Sequence, residues 1–165
     1  MIKDKFAQSV GLVFKPSTIQ NAGIGVFASK HIPLGTIVAK YKGTFHFVDD
    51  IDFNQFYNKD YTLSVRNGCI DAHPLQQDGR IIGYGGFIND ARDDTKNNCQ
   101  YVIVEREAYV VSIKNVGADE ELFVNYGQGY WRGWEARQKM VNKIDDIVDK
   151  VLFDLKQQND GKSVI

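Results

Sequence analysis

The stretch GGFINDARDDTKNNCQY, Gly85 to Tyr101, decides how the rest of the chain is interpreted. It begins apolar, concentrates Asn, Asp and Arg between positions 89 and 98, and ends in a second apolar run. Two explanations are open for such dense polarity between core-like segments. The residues form a long polar turn that hydrogen-bonds to itself, or a loop that holds Asn and Asp side chains beside a ligand.

Composition restricts the class of protein. The chain has 165 residues, 43% of them hydrophobic and 25% charged, with a net charge of -1, which is typical of one soluble domain with its own core. It lacks a basic surplus, a long apolar run and an apolar leader. Cys69 and Cys99 are interpreted as thiols of a reducing compartment. We therefore expect an intracellular protein that contains no metal ion. We also expect it to bind neither nucleic acid nor membranes.

Short apolar segments between turn residues predict β-strands over most of the chain. Early strands are expected at 12–14, 25–28 and 36–41. One hairpin is expected from YTLSV at 61–65 through the turn Arg66-Asn67-Gly68 to CIDA at 69–72, because Asn67-Gly68 is a strong turn signal, and a second is expected around an Arg106-Glu107 turn. A further strand is expected at 121–126. The segment 47–59 is mixed in period, which favours a short helix or an irregular insert.

The chain changes character at Gly133. Apolar residues then recur at spacings of three, four and seven, which predicts a long amphipathic helix: Trp134, Val141, Ile144, Val148, Val151 and Leu155. This helix either packs on the domain or extends it, and a dimer-forming coiled coil is the alternative. The fold class is therefore β-rich α+β, with a domain at 1–132 and a terminal helix and tail at 133–165.

Four short motifs follow one another along the chain: GIGVF at 23–27, YKG at 41–43, FIND at 87–90 with Asn98-Cys99 beyond it, and DEELFVNYG at 119–127. Each is weak alone, since an isolated Gly-x-Gly is usually only a turn. In this order they resemble the SET domain, the fold of most protein lysine methyltransferases, over about residues 8 to 131. The resemblance implies several small β-sheets, with the 85–101 stretch in a pseudoknot.

The resemblance also implies a site for S-adenosylmethionine on one face and an aromatic channel for a lysine on the other. The implied cofactor-binding residues are Gly23, Ile24, Gly25, Val26, Phe27, Asn89, Asp90, Tyr126 and Trp131. Asn89 would contact the amino acid end of the cofactor, and the backbone of Asp90 the adenine edge. The implied catalytic residues are Tyr126, Tyr101 and Tyr41. The Tyr126 hydroxyl would position the methyl group or the amine and stabilise it electrostatically, and Tyr101 and Tyr41 would flank the amine. Val26 or Phe27 are alternatively core residues, and Trp131 is alternatively an anchor for the helix.

One departure from the family pattern concerns Asp90, which stands where most SET domains have His. The ARDDTKNN segment at 91–98 is also longer than usual, and this form resembles the PR-domain subgroup. No cysteine cluster for a zinc-binding post-SET segment is present.

The implied activity is protein-lysine N-methylation, with a histone tail as the leading substrate and a non-histone protein next. The alternative is a SET-like peptide-binding module with little or no turnover. The acidic stretches at 49–52 and 90–94 either attract a basic peptide or form solvated surface. A histone-directed enzyme would be nuclear and otherwise cytoplasmic, and the helix allows a homodimer.

Overall fold

The computed structural model describes residues 9–50, 60–72 and 83–160. The chain divides into two compact units, residues 1–125 and residues 126–165. The first contains all eight strands of the described residues: β1 Leu12–Pro16, β2 Ile24–Ala28, β3 Ile37–Lys40, β4 Thr44–Phe47, β5 Thr62–Val65, β6 Gly68–Asp71, β7 Cys99–Val104 and β8 Glu107–Ser112. The second contains helix α1, Gln128–Asp160. The predicted β-rich fold with a terminal helix is confirmed, and the predicted boundary at 132 lies inside α1.

Three small antiparallel sheets form the first unit. They are the pair β1–β2, the sheet β3-β8-β7 and the sheet β4-β6-β5. Their strands are short and rich in Val, Ile and aromatic residues, which suit a half-buried pleated surface. Buried Tyr41, Ile70, Ala72 and Ala108 join the second and third sheets in one cluster. Strand β4 was not predicted, and a 3-10 turn at Val48–Asp50 follows it. The rest of the predicted insert, 51–59, lies outside the described residues.

Both predicted hairpins are present, but the first turn is one residue shorter than predicted and the second lies one residue earlier. Val65 pairs with Gly68, so the first turn is Arg66-Asn67, and only Asn67 of this turn has a positive φ, 59°. Gly68 pairs within β6, and this position requires glycine because a Cβ there would lie 2.0 Å from the carbonyl oxygen of His46. In the second hairpin Glu105-Arg106 forms the turn, with Glu105 at a φ of 56°.

The predicted strand at 121–126 is wrong, because this segment changes partner at each step. Its Leu122 N–H donates to the Val26 carbonyl at 2.8 Å, and its Val124 N–H donates to the Asn89 carbonyl at 3.0 Å. The carbonyl of Phe123 then accepts from the backbone N–H of Cys99 at 3.0 Å. The segment therefore passes through the loop that begins at Asn89 and ends at Cys99. This is the threading expected of a pseudoknot.

Both cysteines are buried thiols rather than halves of a disulfide. Burial raises the pKa of Cys99 to about 12, and the charge of Glu120 adds to the shift. Because the thiolate is the reactive species, we expect iodoacetamide at about pH 8 to alkylate native Cys99 on the order of a thousandfold more slowly than a model thiol. Mass spectrometry after brief labelling, with and without urea, measures this. Rapid labelling of Cys99 in the native protein would contradict the placement.

Helix α1 carries an exposed apolar row on its described part. Val141, Ile144, Val148 and Val151 recur at the predicted spacing and are each about half exposed. Within the described residues, no helix combines the length and apolar character needed to cross a membrane. The same residues contain no group of three or more His, Cys, Asp or Glu side chains arranged to hold a metal ion. The coiled-coil dimer stays a prediction.

Candidate active site

Three of the four sequence motifs meet at one point in the first unit. The side-chain amide of Asn89 donates to the carbonyl of Ile24 at 3.1 Å and to Oε1 of Glu121 at 3.3 Å. Gly25 lies against both side chains, since a Cβ there would be 2.1 Å from Oε1 of Glu121 and 3.4 Å from Nδ2 of Asn89. The second glycine of the Gly-x-Gly motif is therefore required by the fold itself.

The two ends of the GIGVF segment differ in accessibility. Gly23 is exposed at a φ of 73°, where a side chain would be strained, and Ile24 is 46% exposed. Val26 and Phe27 are core residues, so only their backbone could meet a ligand. The exposed part of the segment is therefore Gly23 and Ile24, and Gly25, which follows them beside Asn89, is buried.

Both initial explanations of the polar stretch apply, each to different residues. Asp90 and Asp93 cap turns locally: Oδ1 of Asp90 accepts from the N–H of Arg92 at 2.7 Å, and Oδ1 of Asp93 accepts from the N–H of Thr95 at 3.0 Å. Such self-capping is what Asp provides in turns. Asn89, in contrast, makes contacts distant in sequence. The polar turn thus holds Asn89 at the start of the loop.

A row of aromatic contacts runs from the Asn89 segment to the sheet β3-β8-β7. Phe87 contacts Phe14 with ring centroids 5.2 Å apart and Tyr61 with centroids 6.0 Å apart. The hydroxyl of Tyr41 donates to the carbonyl of Tyr61 at 2.9 Å, and the Tyr41 ring meets Tyr101 edge-on at 5.8 Å. The predicted pair Tyr41 and Tyr101 is thus brought together, and Tyr61 and Phe87 extend it. We call these five side chains the aromatic row.

Tyr61 contributes a protonated hydroxyl to the aromatic row. Burial raises the pKa of Tyr61 above its usual range, and the nearby charge of Asp60 acts in the same direction. At neutral pH the group therefore stays a phenol and can donate or accept hydrogen bonds. It does not act as an anionic base.

The second unit holds its own aromatic cluster at the start of α1. The ring of Tyr126 lies nearly parallel to Trp131, with centroids 5.9 Å apart and 17° between planes, and it meets Tyr130 edge-on at 4.8 Å. Trp134 meets Trp131 edge-on at 6.0 Å. Trp131 therefore contacts the candidate catalytic tyrosine directly. Its predicted contact with a cofactor stays a prediction.

Glu121 is the residue that sequence reasoning left without a role. It lies in the DEEL motif and is 3% exposed, although the sequence around it reads as a polar turn. Charged residues are almost never fully buried unless they are paired. The sequence signal that could have indicated the burial of Glu121 is its position immediately before the apolar run Leu122 to Val124. Its partners Ser17 and Thr18 carry no sequence signal of their own.

Comparison with known proteins identifies the family. The model of the SET domain matches residues 23–127, which is more than half of the chain. These residues include all four motifs, the threaded segment and the point where Gly25, Asn89 and Glu121 meet. The chain therefore belongs to the SET domain family.

Individual relatives agree with this assignment. The chain is 26% identical over 125 residues to a histone-lysine N-methyltransferase, set-17, of Caenorhabditis elegans, covering 74% of this chain and 44% of that protein. It resembles the solved methyltransferase domain of human PR domain-containing protein 2, with 24% identity, 72% and 78% coverage and a TM-score of 0.55. It also resembles a humanized mutant of the Chaetomium thermophilum Polycomb Repressive Complex 2, with 27% identity, 71% and 15% coverage and a TM-score of 0.55. The chain thus spans less than half of the length of the worm relative.

Proposed function

We propose that this chain is an S-adenosylmethionine-dependent protein-lysine N-methyltransferase, with a histone tail as the leading substrate and a non-histone protein as the second candidate. One observation carries the proposal: Gly25, Asn89 and Glu121 meet at the start of a loop whose neighbouring residue Phe87 opens the aromatic row. The polar cluster of Gly25, Asn89 and Glu121 thus adjoins the aromatic row. Methyl transfer to an amine would use the polar cluster to hold the cofactor and the aromatic row to hold the lysine.

The residues present fit the cofactor. S-adenosylmethionine, when bound, supplies a methyl group activated by a sulfonium. Asn89 directs Nδ2 inward, which leaves Oδ1 to accept a hydrogen bond from an ammonium group. The backbone of Gly23 and Ile24 is accessible to the amino acid part. Asp90 is buried and its carboxylate accepts from the Arg92 N–H, and we assign the backbone of Asp90 to the adenine edge.

The aromatic residues would prepare the lysine. A lysine in an apolar aromatic path loses hydration, which lowers its pKa and favours the neutral amine that attacks. The hydroxyl of Tyr41 donates to the Tyr61 carbonyl, which fixes the position of the Tyr41 hydroxyl in the aromatic row. Tyr101 flanks it edge-on. The Tyr126 hydroxyl is assigned positioning and electrostatic stabilisation, since a free tyrosine has a pKa of about 10 and is a poor base at neutral pH.

Acidic groups near the loop support a basic substrate. The pKa of Asp93 is lowered, mainly by the hydroxyl of Thr95 and then by its backbone N–H, so this exposed carboxylate stays ionised at neutral pH. Oδ1 of Asp94 accepts from Asn97 and Asn125 at 3.2 and 2.8 Å, which fixes a second carboxylate in place. A lysine-rich histone tail complements this charge. Such a substrate would place the protein in the nucleus.

The direct test is mass spectrometry of purified histones and of a cell lysate after incubation with the protein and S-adenosylmethionine. We expect added methyl groups on lysine side chains of at least one histone. Methylation of a lysate protein alone would select the non-histone substrate class. Measurable cofactor binding without methylation of any acceptor would reject the enzyme and leave a SET-like binding module.

A further inference from the structure

The carboxylate of Glu121 is buried and fully hydrogen-bonded. Oε1 accepts from the hydroxyl of Ser17 at 2.7 Å and from Nδ2 of Asn89 at 3.3 Å. Oε2 accepts from the backbone N–H and the hydroxyl of Thr18 at 2.7 and 2.6 Å. These contacts match the roughly four lone-pair positions of an ionised carboxylate, which is an acceptor only. Glu121 is therefore a fixed acceptor and is not placed to act as a base.

This fixed acceptor determines which way the Asn89 amide points. Both neighbours of Nδ2 are acceptors, the Ile24 carbonyl at 3.1 Å and Oε1 of Glu121 at 3.3 Å. An amide turned by a half rotation would place its oxygen against these two oxygens, one of them charged. Because that arrangement is repulsive, Oδ1 is held on the opposite side. Within the part of the chain that the structure describes, Oδ1 accepts no hydrogen bond.

Gly25 provides a second, independent observation. A Cβ at this position would lie 2.1 Å from Oε1 and 2.8 Å from Cδ of Glu121. The carboxylate thus occupies the space that any other residue at position 25 would need. The glycine at position 25 and the buried carboxylate of Glu121 therefore require each other: the carboxylate fits only because residue 25 has no side chain.

We propose that Glu121 is a positioning residue for the cofactor, acting through Asn89. It keeps the Asn89 oxygen available to the primary ammonium group at the amino acid end of S-adenosylmethionine. The inference rests on the proposed function. Without Glu121 the amide can turn and direct its N–H groups at the ammonium, which replaces an attraction by a repulsion. Hydrogen bonds to charged groups are the stronger class, so the ammonium group is the part of the ligand that reports on Glu121.

The test compares two ligands in calorimetric titrations: S-adenosylhomocysteine and its analogue that lacks the α-amino group. We expect the wild-type protein to prefer the amino ligand by about tenfold to a hundredfold, the range of one hydrogen bond to a charged group. In Glu121→Gln the new amide can donate to Asn89 and release its orientation. The preference is expected to fall to within about threefold.

Glu120→Gln is the matched control. Glu120 is the adjacent acid, and its carboxylate accepts from Gly117 N–H at 2.8 Å and from Asn98 at 3.2 Å. This variant removes the same charge one residue away and is expected to keep the full preference for the amino ligand. A loss of fold in Glu121→Gln would weaken both ligands equally, whereas a loss of positioning acts on the amino ligand.

A measurement on the wild-type protein alone makes the inference independent of the variant. In nitrogen-15 NMR without ligand, we expect the Nδ2 protons of Asn89, which donate to Ile24 and Glu121, to exchange with solvent more slowly than those of an exposed asparagine. Nδ2 protons that exchange as fast as those of an exposed asparagine would overturn the proposal, as would an unchanged amino-group preference in Glu121→Gln. If wild type binds neither ligand, the proposed function fails as well. If the wild-type protein and the Glu121→Gln variant both bind the amino ligand with the same preference, only the proposed role of Glu121 is rejected.

Discussion

Tyr126→Phe is expected to lower the rate of lysine methylation by about a hundredfold or more while leaving the affinity for S-adenosylmethionine within about twofold. Under the proposed function, the Tyr126 hydroxyl interacts with the amine and the transferring methyl group mainly in the transition state. Removing such an interaction lowers kcat without a matching rise in KM. Initial rates of methyl transfer at varied substrate concentration measure both quantities.

The substitution isolates the hydroxyl because the ring contacts survive. Tyr126 contacts Trp131 and Tyr130 through its ring, and phenylalanine keeps the same ring. Tyr109→Phe serves as the control, since its hydroxyl bonds to the exposed carboxylate of Glu107 and lies outside the proposed site. It should retain the wild-type rate. A Tyr126→Phe variant that methylates as fast as the control would remove this tyrosine from the mechanism.

Asn98→Ala is expected to reduce the free energy of unfolding by about 3–5 kcal/mol. Asn98 is 2% exposed and ties the loop to the threaded segment. Its Nδ2 donates to the Glu121 carbonyl at 2.8 Å, and its Oδ1 accepts from the Phe123 N–H at 2.9 Å. Alanine leaves both backbone groups buried without these partners, and each such group costs about 1–3 kcal/mol. Urea unfolding followed by circular dichroism measures the loss.

Asn97→Ala is the matched comparison, because the two neighbours are the same residue type and are both buried. Asn97 is 6% exposed, and its Nδ2 reaches Asp94 at 3.2 Å, but its buried Oδ1 has no hydrogen-bond partner among the described residues. Removing an unsatisfied acceptor offsets part of the lost contact, so we expect a change within about 1 kcal/mol. Equal destabilisation by the two substitutions would show that burial alone, and not the ties to the threaded segment, accounts for the effect of Asn98.

Strands and hairpins could be predicted because apolar alternation and turn residues are local signals. The exact turns could not be predicted. Gly68 was interpreted as a turn residue, but glycine is needed there because the His46 carbonyl on another strand leaves no room for a side chain. The segment at 121–126 carries an apolar pattern, yet it pairs with a different partner at each step. Helix α1 begins at Gln128, ahead of Gly133. Two glycines in its first turns are poor helix formers and concealed that start.

The candidate site was predictable as far as motifs have recognisable spacing. Asn89, Gly25 and the pair Tyr41 and Tyr101 were named from such motifs, and the last two are in ring contact. The burial of Glu121 was not predictable, because it depends on hydrogen bonds from Ser17 and the Thr18 backbone, which lie more than a hundred positions away. Long-range hydrogen bonding of this kind leaves no periodic trace.

The passage of residues 121–124 through the Asn89–Cys99 loop also orders events during biosynthesis. A nascent chain that has emerged only as far as β8 lacks the segment that accepts from Cys99 and donates to Val26 and Asn89. Until the ribosome has released residue 124, this half-built domain exposes polar backbone and apolar side chains together. Contacts between segments so far apart also form slowly. A protein of this topology therefore completes its core only late in translation, when most of its sheet residues have already been made.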